Sequence, residues 1–444
     1  MKRPLFLALL IVFSLLASAC GSLAPESLAL VAEPFETTTI RIATSRIEGL
    51  EAAIAAWERE HPTIDVDVVL NSPDDHHEAL LRGDRRTGSV DIIGFEGEYT
   101  GAIRTIADSF VDLREFELDE LQSNFLPPLW DQGIGLDGEL IGLPIDADAK
   151  VLFVRNDLAR ASTLNDLASA RTWCDVLEYG GDFADSSGKA FFADGEELLR
   201  AILSQSRSSW VTSTGQQDPD AVAELERAWD LSMLAIGEQP VFGNPCPELL
   251  GQGSIARDLT PGESIWRSEI ASDDFGAVIS QWSTRERISQ AHPQSSGSWT
   301  AIALPRDAQV PGAGNSSEGG LHFAIAADSE HTDIALDLIL TLSDPVIQES
   351  TFNNGHGPLP SARALYDDDT VAEAEDDFFV GEPSAAATFA DAVRLRARGR
   401  AMPERQVVIS ALSRALAQVQ SGVQTPEIPW DEAFIEVVAE LSQR

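Results

Sequence analysis

Histidine and carboxylate side chains, the usual ligands of zinc, are present in this sequence without the spacing that a metal site needs. His77 and Glu78 are neighbours, but Leu81 stands four residues after His77, where zinc binding on one helix face requires a second histidine. The other histidines are scattered along the chain. We therefore expect no metal ion, and the sequence suggests no other cofactor.

Motifs of phosphate binding and of nucleophilic catalysis are also incomplete. Gly188-Lys189 would need a glycine where Phe183 stands, and alanine follows it instead of serine or threonine. No Gly-x-Ser-x-Gly elbow occurs. One carboxylate pair, Asp146 and Asp148, is of the kind that glycan-hydrolysing enzymes use, so a secreted glycan-active enzyme is an alternative. The lack of any complete catalytic motif favours a protein that is not an enzyme.

Short β-branched runs alternate with helical patterns in the first part of the chain. Strands are predicted over 39–43, 64–70 and 90–93, with helices around 50–57 and 75–82 between them. This alternation predicts a parallel sheet with helices on both faces. Further strands are predicted over 151–154, 300–304 and 322–326, and further helices over 220–234, 404–421 and 430–442.

Polar side chains follow two of the strands in the first part of the chain. Ser45 and Arg46 come directly after the first strand, and Glu96 and Glu98 follow the third. Ligands of open α/β sheets bind beyond the carboxyl ends of the strands. We therefore expect these four side chains to line a ligand-binding cleft.

The N-terminus has the three parts of a secretory signal peptide. Lys2 and Arg3 precede an apolar run over 5–16, and small residues at 17–19 lead to Cys20. The apolar run is shorter than the roughly 20 residues that a membrane-spanning helix needs. We therefore expect residues 1–19 to be removed and the mature chain to be extracytoplasmic.

The residues around this cleavage site resemble the lipobox of bacterial lipoproteins, with Ala17 where leucine is commoner. Lipidation of Cys20 would anchor the chain to the cell membrane, because the several acyl chains of a lipoprotein cysteine form a stable tether. Residues 17–19 also suit ordinary secretory cleavage, which would leave a secreted or periplasmic protein. Residues 20–37 are predicted to be the lipidated cysteine and a flexible stalk.

Composition bounds the number of domains and the class of partner. The formal net charge of -41 argues against nucleic acid and anionic lipid as partners, because both bind basic surfaces. The length left after cleavage exceeds one ordinary core and suggests two domains. Cys174 and Cys246 are an even pair in an exported chain, which predicts a disulfide, with two buried free thiols as the alternative.

The order of four stretches carries a family resemblance. Residues 55–66 look like a first helix that runs into a second strand, and residues 138–158 look like a first crossing into a second lobe. Residues 275–282 end a strand in tryptophan, and residues 319–326 with 355–360 look like the return through the first lobe. Together they resemble the extracellular solute-binding proteins of ABC importers, in the sugar-binding group that includes maltose-binding protein.

The resemblance implies an α/β protein with a two-lobed periplasmic-binding-protein-like fold of type II and a ligand cleft between the lobes. It places lobe one at 38–146 plus 299–350, and lobe two at 147–298 plus 351–444. We expect a monomer that captures a small ligand, a sugar in this group, and delivers it to the permease subunits of an ABC transporter.

The resemblance also implies roles for individual residues. Asp148 falls where the group has a carboxylate that faces the ligand, and Asp146 either shares that role or is a solvated charge or helix cap. Trp282 is the candidate for stacking on a sugar ring, with a buried residue near the hinge as the alternative. His322 and Asn354 are candidates from the later crossovers, and His322 could equally be a core histidine.

One departure from the family pattern leaves the ligand class open. Relatives often have an aromatic residue near the end of the first strand, where this chain has Ser45 and Arg46. Acidic positions such as Glu96 and Asp148 would also suit a cationic ligand, such as a polyamine or an amino sugar. A receptor module that presents its ligand to a sensor is a further alternative to import.

Overall fold

The computed structural model describes residues 37–441, apart from 84–88, 160, 206–217, 250, 260–263, 306–318, 355–356 and 396–402. The predicted signal peptide, Cys20 and the stalk up to residue 36 lie outside the described residues. None of the described helices combines the length and the apolar character that crossing a membrane requires.

The described strands form three sheets. In chain order they are β1 (Thr38–Thr44), β2 (Ile64–Leu70), β3 (Ile92–Glu96), β4 (Leu143–Pro144), β5 (Asp146–Ala147), β6 (Val151–Arg155), β7 (Ala190–Phe192), β8 (Phe275–Ser280), β9 (Trp299–Ala303), β10 (Leu321–Ile325) and β11 (Leu359–Pro360). The strand order is β2-β1-β3-β10-β4 in a five-stranded sheet and β7-β8-β6-β9 in a four-stranded sheet, while β5 and β11 form a two-stranded sheet.

The described helices lie between and after these strands. They are α1 (Glu51–Glu60), α2 (Pro73–Leu81), α3 (Thr100–Ile103), α4 (Pro127–Gln132), α5 (Ala161–Ala168), α6 (Trp173–Ser187), α7 (Gly195–Ser204), α8 (Pro219–Ile236), α9 (Ser264–Ala271), α10 (Thr284–Ala291), α11 (Thr332–Leu342), α12 (Pro345–Asn353), α13 (Ala364–Asp367), α14 (Ala385–Arg394), α15 (Arg405–Gln420) and α16 (Glu427–Leu441). Short 3-10 helices occur at Gly97–Tyr99, Arg104–Ser109, Leu113–Phe116, Leu118–Asn124, Pro247–Leu249 and Pro293–Ser295.

The five-stranded sheet brings the ends of β1 and β3 together. These two strands are parallel neighbours, with Ile42 opposite Ile92. Strand β10 runs antiparallel to β3, so the predicted parallel arrangement holds for β1 and β3 but does not extend to β10. Buried side chains of this sheet pack with Trp57 of α1 and Leu338 of α11 in one core. We call the elements around this core the first lobe.

The four-stranded sheet is built around β6. All five residues of β6 are buried, as expected for a central strand with both faces covered. It runs antiparallel to β8 on one side and to β9 on the other. Two clusters of buried side chains surround this sheet and include residues of α6, α7, α8, α14 and α15. We call these elements the second lobe.

Strand β9 corrects the predicted boundary between the lobes. Lobe one was expected to resume at residue 299, but Trp299 lies opposite Arg155 of β6, in the sheet of the second lobe. The chain rejoins the sheet of the first lobe only at β10, after β9. The apolar residues of β9 predict a buried strand, but hydrophobicity alone does not indicate which sheet a strand joins.

Two further features are the pairing of β5 with β11 and a disulfide. Strands β5 and β11 pair so that Asp146 lies opposite Pro360 and Ala147 opposite Leu359. Cys174 of α6 and Cys246 form a disulfide with Cα atoms 5.6 Å apart, which confirms the predicted pair.

Candidate functional site

A cavity of about 560 Å³ is lined by side chains of both lobes. The first lobe contributes residues that follow β1 and β3, and the second contributes residues of α7, of α10 and of the end of β8. The two-stranded sheet of β5 and β11 contributes residues from both of its strands. This volume lies within the range of roughly 300–1,000 Å³ that is usual for small-molecule sites.

Arg46, directly after β1, is fixed by a two-pronged ion pair. Its two terminal nitrogens donate to the carboxylate oxygens of Asp146 at 2.6 and 2.7 Å, and its Nε lies 3.6 Å from Glu96 Oε1. Burial alone would lower the pKa of Arg46, but the carboxylates of Asp146, Glu96 and Asp148 raise it above its ordinary value. Arg46 therefore stays charged and ties the end of β1 to strand β5.

Asp146 is satisfied within the protein. It accepts both bonds from Arg46, and its Oδ1 also accepts the backbone N–H of Leu321 at 2.7 Å. The residue is buried and is not among the residues that line the cavity. Its role in this geometry is to hold Arg46 and the start of β10.

Asp148 faces the cavity with only one of its oxygens satisfied. Its Oδ1 accepts the backbone N–H groups of Ala149 at 2.9 Å and Trp282 at 3.0 Å. No residue in the described ranges donates a hydrogen bond to Oδ2, although the residue is only 5 % exposed. Burial raises the pKa of Asp148 to about 7, against the opposing effect of Arg46. Asp148 is thus a buried acceptor poised between its neutral and charged forms at neutral pH.

Glu96 is another carboxylate that lines the cavity, and it is held from two sides. Its Oε1 accepts the Ser45 hydroxyl at 2.7 Å, and its backbone N–H donates to Nε2 of His77 at 3.1 Å. Burial lowers the pKa of His77 to about 3, so the ring stays neutral, and its Nδ1 lies 2.7 Å from the carbonyl oxygen of Pro73. The ring also stacks on Tyr99, with centroids 3.7 Å apart. His77 therefore positions Glu96.

Trp282 lines the cavity, but its ring is enclosed. The residue is 5 % exposed, and the guanidinium of Arg285 lies 3.8 Å from the ring centroid. The indole Nε1 donates to the carbonyl oxygen of Gly357 at 3.1 Å, and the rings of Phe352 and Phe389 pack beside it. A sugar could stack on this ring only if Arg285 moved away. This geometry matches the alternative of a buried residue near the hinge.

Two cations of the second lobe that line the cavity, Lys150 and Arg200, are held in ion pairs. Lys150 Nζ donates to Glu197 Oε2 at 2.8 Å, and Arg200 Nε donates to Glu196 Oε1 at 2.8 Å. Burial would lower the pKa of Arg200, but Glu196, Glu197 and Glu98 raise it above its ordinary value. Glu98 belongs to the first lobe, so its charge acts on Arg200 across the cavity.

The remaining two candidates lie away from the cavity. His322 is fully buried in the first sheet, where Nε2 lies 2.9 Å from the carbonyl oxygen of Leu129 and the ring stacks on Phe95. Asn354 is exposed just after α12. Neither is among the described residues that line the cavity. The environment of His322 is that of a core histidine.

Sequence reasoning missed several residues of the cavity wall, among them Lys150, Glu197, Arg200 and Arg285. Glu197 and Arg200 lie on α7, whose strongly amphipathic pattern is equally typical of a helix with a solvated face. Lys150 had one available signal, because it follows Asp148 by two residues and so points to the same side of an extended chain.

Comparison with solved structures identifies the fold. An extracellular solute-binding protein of family 1 superimposes with a TM-score of 0.74 and 20% identity, over 91% of this chain and 100% of that one. The sugar-binding protein MalE from Xanthomonas citri gives 0.67 and 21%, over 92% and 98%. A solute-binding protein from Thermotoga lettingae, bound with alpha-D-tagatose, gives 0.67 and 17%, over 91% and 100%.

Neither family models nor curated sequences match the chain. The structural likeness spans nearly the whole described chain and almost all of each neighbour. It confirms the predicted fold class, with its two lobes and mixed α/β layers. The chain therefore has the two-lobed fold of the extracellular solute-binding proteins of ABC transporters.

Proposed function

We propose that this protein is an extracytoplasmic solute-binding lipoprotein that captures a small hydroxylated ligand of the carbohydrate class and delivers it to an ABC permease. The observation that carries the proposal is the cavity between the lobes with Asp148 at its wall. The second oxygen of this carboxylate lacks a donor among the described residues, although the residue is only 5 % exposed. A ligand hydroxyl or amine would supply the missing donor.

Further polar groups of the cavity suit a ligand with several hydroxyls. The segment around Trp282 lines the cavity with Ser280, Gln281, Ser283 and Thr284. It lies beside Asp148, because Trp282 donates its backbone N–H to that carboxylate. Hydroxyl and amide side chains both donate and accept hydrogen bonds, as sugar hydroxyls do. The sugar-binding proteins with the same fold, MalE among them, support this ligand class.

The transport mechanism that we propose is closure of the lobes around the ligand. Ligand contacts to both lobes stabilise the closed form over the open form by the difference in affinity between the two. Strands β5 and β11 lie at the cavity and join the two parts of the chain, which makes them the proposed hinge. A permease then recognises the closed form.

The anchor and the compartment belong to the same proposal. A lipidated Cys20 would hold the binder at the membrane, and the stalk after it would let the lobes reach the permease. Mass spectrometry of the mature N-terminus tests the anchor: we expect a diacylglyceryl mass on Cys20. An unmodified Cys20 would leave the binding function intact and remove the anchor.

A thermal-shift screen tests the binding function. Mono-, di- and oligosaccharides are added to the purified chain, and a cognate ligand is expected to raise Tm because it binds only the folded protein. At a ligand concentration of a hundred times Kd, the free energy of unfolding should rise by about 2.7 kcal/mol. Asp148→Asn should lower the affinity for that ligand. Asp137→Asn changes an exposed aspartate that is not among the described residues of the cavity wall, and it should leave the affinity unchanged. Hits that bind both variants equally well would contradict the assignment of Asp148.

A further inference from the structure

Among the described residues, acidic groups outnumber cations around Arg46. Three carboxylates, those of Asp146, Glu96 and Asp148, act on one guanidinium, that of Arg46. Asp146 uses both of its oxygens within the protein. Asp148 Oδ2 and Glu96 Oε2 receive no hydrogen bond from the described residues, and both residues line the cavity. Two acceptor oxygens that no described residue satisfies therefore belong to residues of the same cavity wall.

Two nearby cations are held by other acids. Lys150 pairs with Glu197 on the wall of the second lobe, and Arg285 pairs with Asp376 while it covers Trp282. Arg267 and Arg287 also line the cavity, but they are exposed, so solvent and salt screen their charge. Among the described residues, the buried cation that acts on both Asp148 and Glu96 is Arg46, and its terminal nitrogens are already bonded to Asp146.

We propose that the natural ligand is an amino sugar, whose protonated amine binds between Asp148 and Glu96 and whose hydroxyls bind the polar groups around it. This inference rests on the solute-binding function proposed above and names its ligand class. A protonated amine supplies a positive charge and hydrogen-bond donors, which no described residue gives to Asp148 Oδ2 or Glu96 Oε2.

The enclosed tryptophan supports an amine over a neutral sugar. Neutral sugars bind through hydroxyl contacts together with an aromatic face against the apolar side of the ring. Trp282 is the one aromatic residue among the described residues of the cavity wall, and Arg285 covers its ring. A ligand that relies on charge does not need this face, whereas a neutral sugar would lose a main source of affinity.

Calorimetric titration with matched sugars tests the inference. Glucosamine is compared with N-acetylglucosamine and glucose, the β-1,4-linked glucosamine disaccharide with its diacetylated form, and spermidine serves as an amine without hydroxyls. We expect the free amino sugars to bind roughly tenfold to a hundredfold more tightly than their acetylated forms, because acetylation removes the charge. An acetylated or neutral sugar that binds as tightly as the free amine would overturn the inference.

Two charge-removing variants give an independent check. Asp148→Asn and Glu96→Gln keep the side-chain shapes, and each should lower the affinity for the amino sugar roughly tenfold to a hundredfold while the affinity for its acetylated form changes by less than about threefold. Circular dichroism confirms that each variant is folded, and Asp137→Asn is the matched control that should keep the preference for the amine. If both variants keep the preference, the amine does not bind there.

The outcomes separate the two proposals. Binding of neutral sugars without a preference for amines would overturn the amino-sugar inference and leave the solute-binding function standing. Tighter binding of spermidine than of any amino sugar would also overturn it, since the ligand would then be a polyamine. Failure of every compound in the panel to bind would count against the solute-binding function itself, and the inference would fall with it.

Discussion

Two sets of charged side chains line the cavity, and they use charge in opposite ways. In one set, Asp148 just after β5 and Glu96 at the end of β3 each have one oxygen bonded within the protein and one oxygen that receives no hydrogen bond from the described residues. In the other set, Lys150 and Arg200 are paired with the glutamates of α7. The difference indicates that the second set holds the cavity in shape through its own ion pairs, while the first set is left open for a ligand.

Asp146 and Asp148 show the same contrast within one short segment. They are two residues apart, yet Asp146 is saturated by Arg46 and Leu321, and Asp148 keeps one oxygen for the cavity. Two carboxylates of the same chemistry thus have different roles, because each has different partners. The structural role predicts a loss of stability on substitution, and the binding role predicts a loss of affinity.

The largest effect is expected from the structural member of this contrast. Arg46→Met leaves the buried Asp146 carboxylate without its partner, and breaking a buried ion pair costs about 3–5 kcal/mol. Urea unfolding should show a loss of this size in the free energy of unfolding. The matched control is Arg41→Met, which breaks the exposed pair with Asp67 and should cost no more than about 1 kcal/mol. Equal losses in the two variants would mean that burial of Asp146 does not matter.

Asp148, the carboxylate assigned to binding, is expected to make the stability of the protein depend on pH. The pKa of Asp148 is raised to about 7, so the folded protein keeps a proton that the unfolded chain releases near pH 4. The protein therefore loses stability as pH rises from about 4 to 7, by up to about 1.4 kcal/mol per pH unit from this group. Asp148→Asn removes that part of the slope.

Unfolding of the wild type and Asp148→Asn at pH 5, 6 and 7 measures this linkage. The stability of the variant relative to the wild type should increase at each step. Asp194, whose pKa burial also raises to about 7, is present in both proteins and cancels from the difference. Parallel stability curves would show that Asp148 is already charged in the folded protein at pH 5.

A smaller loss of stability is expected when His77, the residue that supports Glu96, is replaced. His77→Leu removes the acceptor of the Glu96 backbone N–H, which should cost about 1–3 kcal/mol of stability. Because Glu96 then loses its fixed position, the affinity for the amino sugar should fall as well. His77 is neutral well above its pKa of about 3, so in the wild type this contribution should not change between pH 5.5 and 7.5. A variant with full affinity would mean that Glu96 needs no such support.

The sequence identified the cavity residues at the ends of β1 and β3 better than those of the second lobe. Ser45, Arg46, Glu96 and Glu98 follow strands of predictable character, and they reach one cavity because β1 and β3 are parallel neighbours. The roles within that set depend on pairs distant in the chain. Arg46 and Asp146 are 100 residues apart, and no local pattern indicates that this bond saturates one aspartate and spares the other.

The sequence also does not show whether the ring of Trp282 is open to a sugar, because its exposure depends on residues that are distant in the chain. A tryptophan at a strand end is equally compatible with an open and an enclosed ring. What encloses it is Arg285, three residues later, and Arg285 is held there by Asp376, which is 91 residues away. The burial of a side chain at a hinge depends on such long-range pairs, which hydrophobic periodicity does not report.

The smallest predicted effect comes from removing Arg285 from the Trp282 ring. It would change the relative affinities of the site for neutral sugars and amino sugars. The double variant Arg285→Ala and Asp376→Asn uncovers the Trp282 ring without leaving an unpaired charge, and the asparagine oxygen can still accept the backbone N–H groups of Phe378 and Phe379. If a sugar ring stacked on tryptophan gains as much as an aromatic pair, about 0.5–1.5 kcal/mol, neutral sugars should gain roughly twofold to tenfold in affinity. Amino sugars, held by Asp148 and Glu96, should gain less. If neutral sugars gain nothing in calorimetry, the covered ring is not what disfavours them, and the preference for amines depends on charge alone.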